Sequence, residues 1–179
     1  RYSVILAQQL GLSEEQIQDI HVASLMHDVG KIGVHDAILQ KPGKLTPEEF
    51  EIMKTHPTLG ASIMEPIRQM KKVIPGLRWH HERWKGGGYP DGLAGDGIPL
   101  MARIIAVADA FDAITTHRPY QKAKSFEQGV EILNALKGDG FEDRVVEAFN
   151  RAYNQGLIRP ETSEATEDQE ALQDRKSVV

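Results

Sequence analysis

Imidazole and carboxylate groups recur along this chain in an order that suits metal chemistry. His27-Asp28 opens the series inside His27-Asp28-Val29-Gly30-Lys31; His56 follows, then the doublet His80-His81, then Asp109 within Ala108-Asp109-Ala110. Six such groups on separate segments converge only if the fold gathers them, and divalent metal is the usual reason to gather them. The chain holds no cysteine. Nitrogen and oxygen donors without sulfur suit iron, manganese, zinc or nickel rather than a structural thiolate zinc site. Six ligands are too many for one catalytic ion that needs an open position, so two ions are the better count. Two ions about 3.5–4 Å apart stabilise the attacking and leaving oxygens of a phosphoryl displacement. Neighbouring residues on a helix point about 100° apart. His27 and Asp28 can therefore address two ions, or Asp28 can bridge them, and His80 and His81 can splay across a centre in the same way. A lone histidine is more often a hydrogen-bonded core residue than a ligand, and that plainer role is assigned to His21, His35 and His117.

The elements that must position these groups read as helices. Residues 3–10 look like the end of an amphipathic helix stopped by Gly11, as though the chain began inside that element of a longer polypeptide. Ser13-Glu14-Glu15-Gln16 carries a capping-box signature. The helix it opens has Ile17, Ile20, Val22, Leu25 and Met26 on its apolar face and delivers His27-Asp28 near its end, where Gly30 and Gly33 break it. Thr46-Pro47-Glu48-Glu49 predicts another start, with proline at the first helical position. That helix carries Phe50, Ile52 and Met53 towards His56, where Pro57 interrupts. A further helix covers about 59–67, and another ends over 73–81. Residues 85–99 form the longest irregular stretch, with Gly86-Gly87-Gly88-Tyr89-Pro90-Asp91-Gly92 at its heart. Such a loop suits positive φ or close approach to other atoms. Pro99 then starts an apolar helix to Thr115 bearing Asp109 and Asp112, and helices near 125–137 and 142–154 follow. No repeat or strand alternation appears, so the expected architecture is an all-α bundle. From Arg159 the chain turns polar and acid-rich, which divides it into a domain over 1–158 and a tail or exposed helix over 159–179.

A chain of 179 residues, 40% hydrophobic and 26% charged, is long enough for one well-buried core and too short for two ordinary domains. The net charge of −5 argues against a general grip on polymeric nucleic acid, where basic surface supplies most of the affinity. It leaves room for a small phosphorylated substrate in a locally positive pocket. No apolar run approaches the roughly 20 residues that span a bilayer. No secretory leader is visible either, and a cytoplasmic location is expected.

Together His27-Asp28-Val29-Gly30-Lys31, His80-His81-Glu82 and Gly88-Tyr89-Pro90 resemble the HD-GYP branch of the HD metal-dependent phosphohydrolases. The resemblance continues through Lys41-Pro42-Gly43-Lys44-Leu45, the segment 106–113 and Arg118-Pro119-Tyr120. It implies an HD-type helical bundle with a Gly-rich loop at a metal-centred active site. The implied reaction is hydrolysis of cyclic di-GMP, a bacterial second messenger, to the linear dinucleotide, with further cleavage to GMP left open. By position His27, Asp28, His56, His80, His81 and Asp109 match the family's metal ligands, with Asp28 between two ions of iron or manganese. A third ion would need residues upstream of Arg1. Lys31 matches the lysine that faces the substrate phosphate and is grouped with Asp28 as catalytic; Tyr89 matches the tyrosine that lines the nucleotide pocket. Arg118 matches a guanidinium that holds a phosphate, for which its bidentate fork is suited. Gln121 stands where a second basic contact is common, and Lys122 lies beside it. Glu82 is expected to orient a histidine, and Asp112, one turn from Asp109, to support the site. An N-terminal sensor or receiver domain outside the chain, protein signalling partners and a homodimer complete the expectations. Two rivals stay open: a module that binds the cyclic dinucleotide with negligible turnover, and an HD hydrolase for another cyclic dinucleotide.

Overall fold

The computed structural model describes residues 1–117 and 122–160. Among them are nine α-helices and no named strand: α1 (Tyr2–Gln9), α2 (Glu14–Met26), α3 (Asp36–Leu39), α4 (Pro47–Met53), α5 (His56–Met64), α6 (Ile74–Trp79), α7 (Leu100–Thr115), α8 (Phe126–Ala135) and α9 (Asp143–Asn154). The all-α architecture is the one the sequence predicts. Among the described residues no helix is long and apolar enough to cross a membrane.

Local chemistry sets the helix starts. The Ser13 and Thr46 side chains each accept a backbone N–H three residues on, and Gln16 and Glu49 reach back to the cap N–H groups; the first capping box is the expected one, and the second completes the start predicted at Thr46-Pro47. Ser125 and Gln128 make a third at α8. Pro57 does not interrupt a helix. It lies in the first turn of α5, which begins at His56, and a missing N–H in that turn loses no helical bond. Pro75 does the same for α6. The glycines after α2 also differ from expectation. The helix has already ended at Met26 when the tight turn Val29–Gly33 begins. A Cβ on Gly30 would lie 1.9 Å from the carbonyl oxygen of His56. Gly30 therefore serves close approach, letting the turn after His27-Asp28 press on the start of α5.

Two apolar clusters hold the bundle. The larger joins α1, α2, α7, α8 and α9 through Leu6, Ile20, Ile104, Leu133, Val146 and Phe149, among others. Phe111 sits at its centre, fully buried, with the rings of Tyr2, Phe126 and Phe149 at 5.2, 5.0 and 4.6 Å. The smaller cluster, Ala23, Met64, Val73, Leu77 and Ile105, joins α2, α5, α6 and α7. Ile104 belongs to the first and Ile105 to the second, so α7 runs between them. Asp109 is carried on that shared helix. Ile158 still packs in the larger cluster. The expected tail over 159–179 lies, apart from Arg159 and Pro160, outside the described residues.

Candidate metal centre

Three histidines enter the site by one device. Nδ1 of His27 lies 2.8 Å from the Ser24 carbonyl, Nδ1 of His56 2.7 Å from that of Met53, and Nδ1 of His80 2.8 Å from that of Leu77. A carbonyl only accepts, so each Nδ1 carries the proton and donates, and each Nε2 keeps a lone pair. All three Nε2 atoms are buried without a hydrogen-bond partner. A buried polar atom left unpaired costs about 1–3 kcal/mol, and native interiors seldom tolerate three together. The backbone bond in each case sets ring orientation and tautomer, as the outer partner of a metal-binding histidine does.

The carboxylates complete the arrangement. Asp28 Oδ2 lies 3.5 Å from His27 Nε2, and its other oxygen lies 3.4 Å from His56 Nε2. Asp109 Oδ1 is 3.6 Å from His27 Nε2. These separations are long for hydrogen bonds, but they suit atoms that share an ion at bonds of about 2.1 Å. Donor atoms of His27, Asp28 and His80 all lie within 4.8 Å of one another, and so do those of His56, His80 and His81. All six residues singled out by the sequence are thus gathered, on α2 and its end, α5, the end of α6 and α7. None of His21, His35 and His117 joins either group.

The electrostatics agree with a ligand set. Burial, with the neighbouring imidazoles His81 and His27, drives His80 down to about 3; burial and His56 bring His81 to about 4. His56 is also lowered, by burial first. These rings are neutral near pH 7, the form that binds a cation. Burial would raise Asp109, yet the adjacent His27 and the other imidazoles outweigh it and hold the carboxyl at about 2. Asp28 is lowered too: burial opposes the shift, but Lys31 and His27 prevail. His27 moves the other way, because the Asp109 and Asp28 carboxylates overcome its burial.

Around this centre lie the other expected residues. Lys31 Nζ donates to Asp28 Oδ2 at 2.6 Å. Tyr89 stacks on His81 with ring centroids 4.8 Å apart and 26° between planes; burial, with the negative charge of Asp109, pushes its phenol up to about 12. Asp112 is exposed and lines a cavity of about 200 Å³ with His27 and Asp109. Lys122 is exposed, and Arg118 and Gln121 lie outside the described residues.

Glu82 departs from expectation. Its buried carboxylate orients no histidine; Oε1 accepts the backbone N–H groups of Asp91 at 2.7 Å and Gly92 at 2.9 Å. Asp91 in turn accepts from Arg78 at 2.8 and 2.9 Å and from the Trp79 indole at 2.7 Å. The Gly-rich loop is thereby pinned to the helix that presents His80 and His81. A Cβ on Gly88 would fall 2.5 Å from the Glu82 Cα, so glycine there lets the loop lie on that backbone and sets Tyr89 against His81. The sequence signal for this clamp was available: a glutamate beside a histidine doublet, followed by a loop rich in unpaired N–H groups.

The profile of the family described as HD domain matches residues 2–145. The chain belongs to the HD domain family. Its His27-Asp28 and Gly88-Tyr89-Pro90 motifs place it in the HD-GYP branch. Over 151 residues it is 46% identical to the cyclic di-GMP phosphodiesterase response regulator RpfG of Xanthomonas campestris, covering 82% of this chain and 39% of that protein. Over 150 residues it is 43% identical to the 3'3'-cGAMP-specific phosphodiesterase 2 of Vibrio cholerae, covering 82% of this chain and 28% of the relative. This HD domain thus spans well under half the length of either. Its fold is that of Bd1817, an HDG"Y"P protein of Bdellovibrio bacteriovorus, with a TM-score of 0.69 at 22% identity over 86% of this chain and 49% of the other. Orphaned Nε2 atoms with free lone pairs, beside two ionised carboxylates, fit the divalent cations that HD domains use.

Proposed function

We propose that this HD domain hydrolyses cyclic di-GMP, giving the linear dinucleotide and then GMP, as the catalytic part of a longer signalling protein with an N-terminal sensor or receiver. The observation that carries the reading is the gathering of three buried, unpartnered Nε2 atoms, two of them within 3.5 Å of the Asp28 carboxylate and the third, from His80, in the same donor group. The named activities of the relatives and their greater length support it. His27, Asp28, His56, His80, His81 and Asp109 would hold two ions, iron or manganese. Such ions supply Lewis-acid charge at the phosphate and lower the pKa of water into the neutral range.

The chain's own groups do the rest. Asp28 presents one oxygen on the His27 side and the other on the His56 side, which suits a bridging ligand. With two dications held, the two ionised carboxylates would leave the centre positive and so favour a phosphodiester. Water oxygen bonds to phosphorus while the P–O bond to the ribose oxygen breaks, and that oxygen takes a proton. Lys31, beside Asp28, is placed to offset charge developing on the phosphoryl or leaving oxygen. Tyr89, neutral at all physiological pH values, offers an uncharged ring to the nucleotide. Arg118 and Lys122 are assigned to binding substrate phosphate, and Gln121 to a neutral contact in place of a second basic one.

A relative named for 3'3'-cGAMP favours one second reading, a hydrolase of the mixed cyclic dinucleotide. Anaerobic incubation of the Fe(II)- or Mn(II)-loaded chain with each dinucleotide, followed by chromatography, separates them. Metal-dependent linear product from cyclic di-GMP is expected, and Asp28→Ala should lose more than about a hundredfold in rate along with bound metal. Intact cyclic di-GMP under confirmed metal loading would overturn the reading, and product from 3'3'-cGAMP alone would replace it with the second.

A further inference from the structure

Helix α4 is unusual in this fold: among its residues none is buried, although it carries Phe50, Ile52 and Met53. Phe50 and Ile52 are each 45% exposed. Polar contacts hold the helix instead, through the Thr46–Glu49 capping box and the Lys41–Glu49 ion pair at 2.5 Å. An aromatic ring kept for core stability would be buried, so burial does not account for Phe50.

Its surroundings do. The Phe50 ring meets Tyr89 at 84° with centroids 6.2 Å apart, an edge-on contact. Tyr89 in turn stacks on His81. The three rings run as a ladder from the candidate metal ligand His81 outward to solvent. At the outer end Lys54 Nζ stands 5.5 Å from the Phe50 ring centre. A cyclic dinucleotide with its phosphodiester at the candidate metal centre carries two flat bases, apolar on their faces and polar at their edges, just beyond that phosphate. Among the described residues, Tyr89 and Phe50 are the aromatic surface that begins there. Aromatic side chains accept any base by stacking or edge contact, and the ladder ends in one that is half open to solvent.

We infer that Phe50 is a substrate-positioning residue: it braces Tyr89 edge-on and, with it, forms the wall on which one nucleobase of the cyclic dinucleotide rests. This deepens the cyclic dinucleotide reading above and rests on it. The contact adds no charge and no proton, so its effect falls on binding and alignment. Met53, one turn on, gives its carbonyl to His56, so α4 supplies both the outer wall and an inner support of the same site.

The test compares wild type, Phe50→Ala, Phe50→Leu and Phe50→Trp, each loaded with Mn(II). Steady-state hydrolysis of cyclic di-GMP is measured beside that of bis(p-nitrophenyl) phosphate, a diester without a base, with bound metal and Tm followed throughout. Equilibrium binding of cyclic di-GMP supplies Kd. Phe50→Ala should raise KM and Kd for cyclic di-GMP about tenfold while changing kcat much less. The ratio of dinucleotide to small-diester efficiency should fall by a similar factor. Phe50→Trp should recover most of the loss, and Phe50→Leu, apolar but not aromatic, should not. Unchanged KM and Kd in folded, metal-replete Phe50→Ala would overturn the inference alone. Equal losses on both diesters, accompanied by lost metal, would overturn it in favour of a purely structural brace. A wild type that cleaves the small diester but neither binds nor cleaves cyclic di-GMP would sink the proposed function, and the base wall with it.

Discussion

The half of the molecule built around Phe111 is held by apolar packing, whereas the half built around His80 adds polar and close backbone contacts to a smaller apolar cluster. In the first, α7, α8 and α9 run 16, 10 and 12 residues and bury apolar side chains turn after turn. In the second, α3, α4, α5 and α6 are 4, 7, 9 and 6 residues long, too short to be stable alone. What is buried there includes His56, His80 and Glu82. Backbone approach at Gly30 and Gly88, imidazole-to-carbonyl bonds and a carboxylate clamp fix the geometry. The difference teaches where each half is vulnerable: the apolar half is stability, and the polar half is function standing on it. Helix α7 joins them, with Phe111 two residues from Asp109.

That contrast breaks most readily at Phe111. Phe111→Ala removes a fully buried ring from the larger core, and we expect a loss of about 3–5 kcal/mol. For a domain of this size the corresponding fall in Tm is roughly 10 °C. Thermal unfolding followed by circular dichroism measures it, and the fraction that stays folded should retain its metal. A folded variant without metal would mean that the halves are one cooperative site. Glu82→Ala should show the reverse pattern at smaller scale. It frees the Asp91 and Gly92 N–H groups to water, loosens Tyr89, and should lower turnover about tenfold to a hundredfold with bound metal unchanged. Glu82→Gln keeps an acceptor for both N–H groups and should retain most of the activity. Metal loss in step with turnover would instead place Glu82 within the ion's own ligand shell.

Legibility in the sequence followed the same division. Capping boxes at Ser13 and Thr46 are local devices spelled out over four residues, and both helices begin where those residues predict. The six metal-type residues were legible because their side chains have few other reasons to recur in that order, and all six converge. The role of Gly30 was not legible. Nothing within its own segment reveals that His56, 26 positions on, will lie against it. Pro57 was misread because proline is a helix breaker in the interior and a helix starter in the first turn, and the sequence alone does not say which turn it occupies. Glu82 was misread because a carboxylate beside two histidines has an obvious local task, whereas its observed partners are the N–H groups of a loop nine and ten residues away. Phe50 drew no role of its own from the sequence, and its exposure became visible only once α4 was seen to bury nothing.

The most direct test of the central claim is anomalous diffraction from crystals of the chain grown or soaked with Mn(II). We predict two anomalous peaks between the imidazoles, the Nε2 atoms of His27, His56 and His80 pointing at them and the Asp28 carboxylate between the two. Well-diffracting crystals in which those Nε2 atoms face only water, with no peak in saturating Mn(II), would contradict the account.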